Sequence, residues 1–253
     1  MPRWAVVGSK PGCISVVGAL NLKNMTQIKS TSHNNLFHII KSYCTQHRYE
    51  VLLLSFMLLV FGNTFTPQHR IIGITDIYQN FLVGLFVFYN KKWLRICILG
   101  IILITIFMDI LKSDLSAFIN TRSVHSVLYL IFFVVVAKEV YKEVLYVKNV
   151  SRELLAAALC GFVLLCLFGT FLFLEIELQL PDSFANAGEE YNEVLTNLNY
   201  FSFVTLLTTG YGDIVPVHLI AKRAVMFIGL VGHFYTVFIT SIIIGKYLSA
   251  KKE

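Results

Sequence analysis

Thr208-Thr209-Gly210-Tyr211-Gly212-Asp213 lies between two long apolar segments, Leu154–Ile176 and Leu219–Leu248. Its two glycines alternate with residues that carry side chains, and glycine reaches positive φ without a Cβ penalty. Each flanking segment has at least the roughly 20 residues needed to cross a bilayer. Further apolar runs occur upstream at Val51–Phe61, Ile77–Tyr89, Trp93–Leu111 and Val124–Ala137. The second of these is interrupted by Gln79 and Asn80 and reaches full length only by starting near Ile71 and enclosing Asp76. Of the 253 residues, 56% are hydrophobic and 14% charged, with 21 Phe and 12 Tyr. That apolar excess is beyond a soluble core. The fold class predicted is an all-α membrane protein with six transmembrane helices.

The basic residues give an orientation independently of hydropathy. If the N-terminus is cytoplasmic, only Arg70, Lys112, Arg122, Lys222 and Arg223 of the 21 Lys and Arg residues fall on the outer side. This satisfies the positive-inside rule and predicts a multi-pass protein of the cell (inner or plasma) membrane, with both termini cytoplasmic and the glycine loop on the outer face. Orientation then accounts for the net charge of +6, and no basic run beyond Lys91-Lys92 points to nucleic acid. Enzyme readings have no support, since there is no nucleotide-binding glycine loop, metal cluster or nucleophile elbow. None of the five cysteines needs a disulfide, and Cys160 and Cys166, six apart, fall on different faces of a helix.

Residues 1–47 form an N-terminal segment in which no signal peptide is read and Met25 offers an alternative start. Leu36, Phe37, Ile39, Ile40 and Tyr43 make an apolar stripe that suits either a short interfacial helix or an extension of the first span. Residues 48–152 hold four spans and a linker. In that linker, Val140, Tyr141, Val144, Leu145 and Val147 share one side, as in an amphipathic helix on the cytoplasmic surface or an inward extension of the fourth helix. Residues 153–253 hold the last two spans and the loop. The outer connection contains Glu175, Glu177, Asp182, Glu189, Glu190 and Glu193, and no Lys or Arg occurs between Glu153 and Ala221. Summed over several copies, such a rim concentrates cations.

Thr205-Leu206-Leu207-Thr208-Thr209-Gly210-Tyr211-Gly212-Asp213 resembles the selectivity filter of the tetrameric potassium channel family. The resemblance is to its six-span members with one pore loop per subunit, here of the bacterial type with a non-voltage-sensing first bundle. It implies a four-helix, voltage-sensor-like bundle followed by a pore domain with a re-entrant pore helix, over residues 197–207, and a filter. It also implies a homotetramer in a lipid bilayer, conducting potassium ions passively, with K+ as the permeant ion and no other cofactor. In such a filter, backbone carbonyls from four loops replace the water around a dehydrated ion. The ion-binding residues implied are Thr208, Thr209, Gly210, Tyr211 and Gly212, with K+ held at Thr208, Thr209, Gly210 and Tyr211.

Tyr200 and Phe201 match the family's aromatic cuff around the filter tyrosine, and Gly232, twenty positions beyond Gly212, matches its gating-hinge glycine. A small residue for close helix packing is the alternative reading of Gly232. The sequence departs from the family pattern at Leu207, where a threonine is usual, and at Thr209, where valine or isoleucine is usual. Val204 stands where some members carry a buried glutamate, so Asp213 is expected to bond to the aromatic cuff instead. The fourth run, Val124–Ala137, contains no Arg or Lys, which disfavours steep voltage gating. Thr236, Thr240 and Ser241 could wet a central cavity or bond back to their own helix. A potassium-transporter subunit normally carries four such loops in one chain. A non-conducting regulatory subunit that keeps the pore fold is the remaining alternative.

Overall fold

Seven helices and one short ribbon make up a computed structural model that describes residues 47–65, 72–89, 91–110, 121–146 and 151–250. The N-terminal stripe at Leu36–Tyr43 lies outside the described residues. In chain order the elements are α1 (Arg48–Phe65), α2 (Ile72–Val87), α3 (Lys92–Ile110), α4 (Thr121–Tyr146) and α5 (Arg152–Gln179). These are followed by β1 (Phe184–Ala185), α6 (Tyr191–Leu206), β2 (Val215–Pro216) and α7 (Leu219–Ala250). Among the described residues four helices, α3, α4, α5 and α7, are long and apolar enough to cross a membrane. The first two apolar runs are helical too, as α1 of 18 residues and α2 of 16.

One helix organises the rest. α5 packs against α1, α4, α6 and α7, and 78% of its apolar window is buried within the chain against 11% for α7. Small residues explain the close approach. Ala156, Ala157, Ala158 and Gly161 line the first half of α5, and a Cβ at Gly161 would meet the Tyr235 hydroxyl and, at 2.9 Å, Tyr141 Cε1. Tyr235 donates to the carbonyl of Ala158 at 2.6 Å, which pins α7 to α5. Farther along, the bare backbone at Gly169 admits Ser202, which donates to the Cys166 carbonyl at 2.7 Å. Because lipid tails are as apolar as leucine, such packing and interhelical hydrogen bonds hold helices together inside a bilayer. Ser151 caps the start of α5 by accepting from the Leu154 N–H at 3.2 Å.

Aromatic rings fill the space between α2, α4 and α5. Tyr129 stacks on Phe81 at 5.0 Å and on Phe171 at 4.5 Å, with Phe132 and Phe133 beside them. Between α1 and α2, Ser55 donates to the buried Asn80 at 2.8 Å, so the polar residue that interrupts the second apolar run is satisfied internally.

The fourth helix continues without a break to Tyr146, so residues 138–146 extend the span and do not form a separate surface linker. Ion pairs at its end account for this. Glu139 accepts from Lys91, and Glu143 accepts from Arg48 at 2.7 Å and Tyr49 at 3.2 Å. The acids beside Lys138 and Lys142 are therefore matched by cations from α1 and the α2–α3 turn. Lys246, near the end of α7, donates to the Val144 carbonyl at 2.8 Å, where the helix leaves its last carbonyls without intrahelical partners.

Replacing Gly169 with Val should destabilise the protein by about 1–3 kcal/mol, because the new side chain must displace Ser202 and its bond to α5. Gly100→Ala, which meets nothing within 4 Å, should be close to neutral. Thermal unfolding of both variants in the same detergent checks the difference.

Candidate functional site

The helix α6 stops at Leu206, two residues before the chain changes hand. Leu207 closes it with a hydrogen bond from its N–H to Phe203 O at 2.9 Å. Thr208 then has φ 57°, Gly210 φ 57° and Gly212 φ 79°, while Thr209 and Tyr211 between them stay on the ordinary side. Alternation of this kind turns successive carbonyls to one side of the chain, as an extended or uniformly helical segment cannot. Gly210 and Gly212 have no heavy atom within 4 Å of an added Cβ, so φ and not crowding demands glycine there. Thr208 holds the same conformation without that freedom. A left-handed residue of this kind costs about 1–3 kcal/mol and persists only where its surroundings fix it.

Those surroundings come from three directions. Below, the N–H groups of Thr208 and Thr209 donate to the carbonyls of Thr205 and Val204 at 3.1 and 2.9 Å. Beside the loop, Tyr200 donates its hydroxyl to Asp213 Oδ2 at 2.7 Å, the partner that the aromatic pair offers. Beyond it, Asn186 donates to the Asp213 carbonyl at 2.8 Å. The antiparallel pair β1–β2, with Phe184 opposite Pro216 and Ala185 opposite Val215, joins the exit of the loop to the connection after α5. Val217 N–H donates to Ser183 O at 2.7 Å and continues that junction.

The two aromatic residues do different things. Tyr200 is partly exposed and reaches Asp213, whereas Phe201 is buried against Phe173 and Phe184, at ring distances of 5.5 and 5.7 Å. Phe201 thus anchors α6 in the core and does not touch Tyr211 within the chain. Tyr211 itself is 71% exposed, and Thr208, Thr209, Gly210 and Gly212 are exposed as well. Gly232 is buried, and a Cβ there would collide with Leu206 Cδ2, so it is a close-packing site between the end of α6 and α7. The helix α7 runs through it unbroken. Thr236, Thr240 and Ser241 bond back to the carbonyls of Gly232, Thr236 and Val237 at 2.7–3.0 Å.

Several contributors escape a reading of the motif alone. Asn186, Ser183 and Phe184 brace the loop from a connection whose acidic charge dominates its composition. Thr170 on α5 lies within 3.1 Å of Asn199 Oδ1 and bonds to Cys166 O at 3.0 Å, a second tie to α6 beside Ser202. Among the described residues no group of His, Cys, Asp or Glu is arranged to hold a metal ion.

Residues 158–249, from the first turns of α5 almost to the end of α7, match the family model described as "Ion channel". Over these residues the chain is similar to that ion channel family, and the loop lies inside the matched region. No curated protein and no solved structure matches the chain.

The hydrogen bond from Tyr200 holds the Asp213 carboxyl below its ordinary value, with the N–H groups of Asp213 and Ile214 adding to the effect. A carboxylate with a lowered folded-state value contributes stability above the unfolded value of about 3.9 and loses it as pH falls through the lower one. The clamp should therefore persist across the neutral range and well into acid. Carbon NMR of Asp213 checks this. Its midpoint should lie below that of a free aspartate and return toward it in Tyr200→Phe.

Proposed function

We propose that the protein is the subunit of a potassium-selective channel that conducts K+ passively through a pore formed by four copies of this chain. The observation that carries the reading is the alternation of positive φ at Thr208, Gly210 and Gly212 with negative φ at Thr209 and Tyr211. Four such loops around one axis present rings of carbonyl oxygens, and oxygen rings suit a dehydrated monovalent cation. On this reading Thr208, Thr209, Gly210, Tyr211 and Gly212 line the ion path, α6 is the re-entrant pore helix, and its carbonyl end faces the ions. One chain supplies one loop, so the pore requires assembly. The exposure of the loop and the long apolar α7, which its own chain leaves mostly uncovered, supports that.

The remaining parts of the proposal follow the charge pattern. Six spans with both termini cytoplasmic put the loop and the acidic connection on the outer side of a cell membrane. Gly232 then serves as the gating hinge of the inner helix, a bend that a glycine permits and that would change its contact with Leu206.

Purified protein reconstituted into liposomes should pass potassium at least tenfold faster than sodium and should run as a tetramer by native mass spectrometry. Equal permeation of the two ions contradicts the proposal. Gly210→Ala should abolish the flux while leaving the assembly intact. The loop has room for the methyl group, but a left-handed alanine costs roughly 1–2 kcal/mol in every subunit.

A further inference from the structure

The first turn of α4 carries a histidine whose two ring nitrogens both face acceptors. His125 Nδ1 lies 2.6 Å from the Thr121 carbonyl oxygen, and Nε2 lies 3.4 Å from Asp109 Oδ1 near the end of α3. Tyr78 on α2 donates its hydroxyl to the other Asp109 oxygen. The histidine side chain is 17% exposed, which leaves a route for protons while excluding most water. A carbonyl oxygen only accepts, so Nδ1 must carry a proton. An ionised carboxylate also only accepts, so Nε2 is matched only when it carries one too. The neutral ring would aim a lone pair at the carboxylate. Three helices thus converge on a site shaped for the imidazolium form, in the one side chain whose ordinary titration lies near neutral pH.

The same turn is tied to the loop. Two residues before the histidine, Ser123 donates to Glu175 on α5, and Gln179 donates to Ser123 and to Glu175, at 2.9 Å each. Arg122 lies over the ring of Tyr191, the first residue of α6, at 4.9 Å. α6 ends at Leu206, two residues before the left-handed Thr208. Among the described residues, the titratable and charged groups facing this turn include Tyr78 from α2, Asp109 from α3, Arg122 on α4 itself, Glu175 from α5 and Tyr191 from α6, with Glu189 and Glu190 lining the cavity that Arg122 shares with Tyr191.

We propose that Asp109, Tyr78 and the Thr121 carbonyl form a proton-binding site on His125, and that its occupancy regulates the Thr208–Gly212 loop through the first turn of α4. Loss of the proton removes the His125–Asp109 ion pair between α3 and α4 and loosens the turn that positions Ser123 and Arg122 against α5 and α6. The regulatory half of this inference rests on the channel reading; the proton site does not.

Two measurements separate them. In liposomes holding the full chain, cation flux is followed while pH on each face is stepped between about 8 and 5.5, the range of histidine titration. The flux should change several-fold with pH on the face bearing His125, and His125→Gln should remove most of that change. A His125→Gln protein that keeps the wild-type pH dependence, or a wild-type flux that ignores pH, overturns the regulation. If the wild type passes no cation at any pH, the channel reading fails. Nitrogen NMR of histidine-labelled protein in nanodiscs at about pH 6 then decides the site alone. Both ring nitrogens of His125 should be protonated in the wild type, and Asp109→Asn should reduce that fraction. An unprotonated Nε2 in the wild type, or no effect of Asp109→Asn, overturns the site.

Discussion

Holding Thr208 in a left-handed conformation is the constraint from which the rest of this structure follows. A β-branched residue resists that conformation, and a loop with few internal hydrogen bonds is tolerated at membrane depth only where protein or a water-filled cavity surrounds it. The Thr208–Gly212 segment bonds to α6 only at its lower end, through the Thr205 and Val204 carbonyls. Its upper end is held by Tyr200 and Asn186 on Asp213 and by the β1–β2 pair. Each of these braces needs α6 and the connection after α5 to be fixed in turn. Ser202 and Thr170 fix α6 to α5, and α5 is gripped by α1, α4 and α7.

That chain of dependence explains why the two long helices flanking the loop are so unlike in their surroundings. α5 is a buried strut, with alanine and glycine where neighbours approach and aromatic rings where they stand off. α7 touches its own chain at a few defined points. Leu206 seats on Gly232, Tyr235 reaches the Ala158 carbonyl, and Lys246 reaches the end of α4. On the proposed reading, the rest of α7 meets other copies of itself and the ion path. The small-residue and hinge readings of Gly232 then describe one position. The site that lets Leu206 approach is also where a bend would disturb the end of α6.

Much of the site was legible because its chemistry is local. Gly210 and Gly212 announce positive φ, and a six-residue motif between two apolar segments announces the loop between α6 and α7. Long-range features were not legible in the same way. Phe201 and Tyr200 are adjacent and both aromatic, yet one is core and the other reaches the loop, because α6 turns about 100° between them. Residues 138–146 alternate apolar and charged positions as a surface helix does. Their acids are matched by Lys91 and Arg48, distant in sequence, and the fourth helix continues through them. Thr208 resists prediction from its own type, since its conformation goes with the hydrogen bonds that it and Thr209 make to the Thr205 and Val204 carbonyls. Strands of two residues that include Pro216 carry no alternation from which β1–β2 could be read. The first two apolar runs are helical as well, and among the described residues α3, α4, α5 and α7 are long and apolar enough to cross a membrane.

Rubidium-substituted crystals of the assembled protein, recorded at the rubidium absorption edge, test the central claim most directly. Anomalous density should lie on a four-fold axis, within rings of carbonyl oxygens from Thr208, Thr209, Gly210 and Tyr211. An assembly whose loops stand apart from any common axis, or whose axis holds no rubidium at those carbonyls, would contradict it.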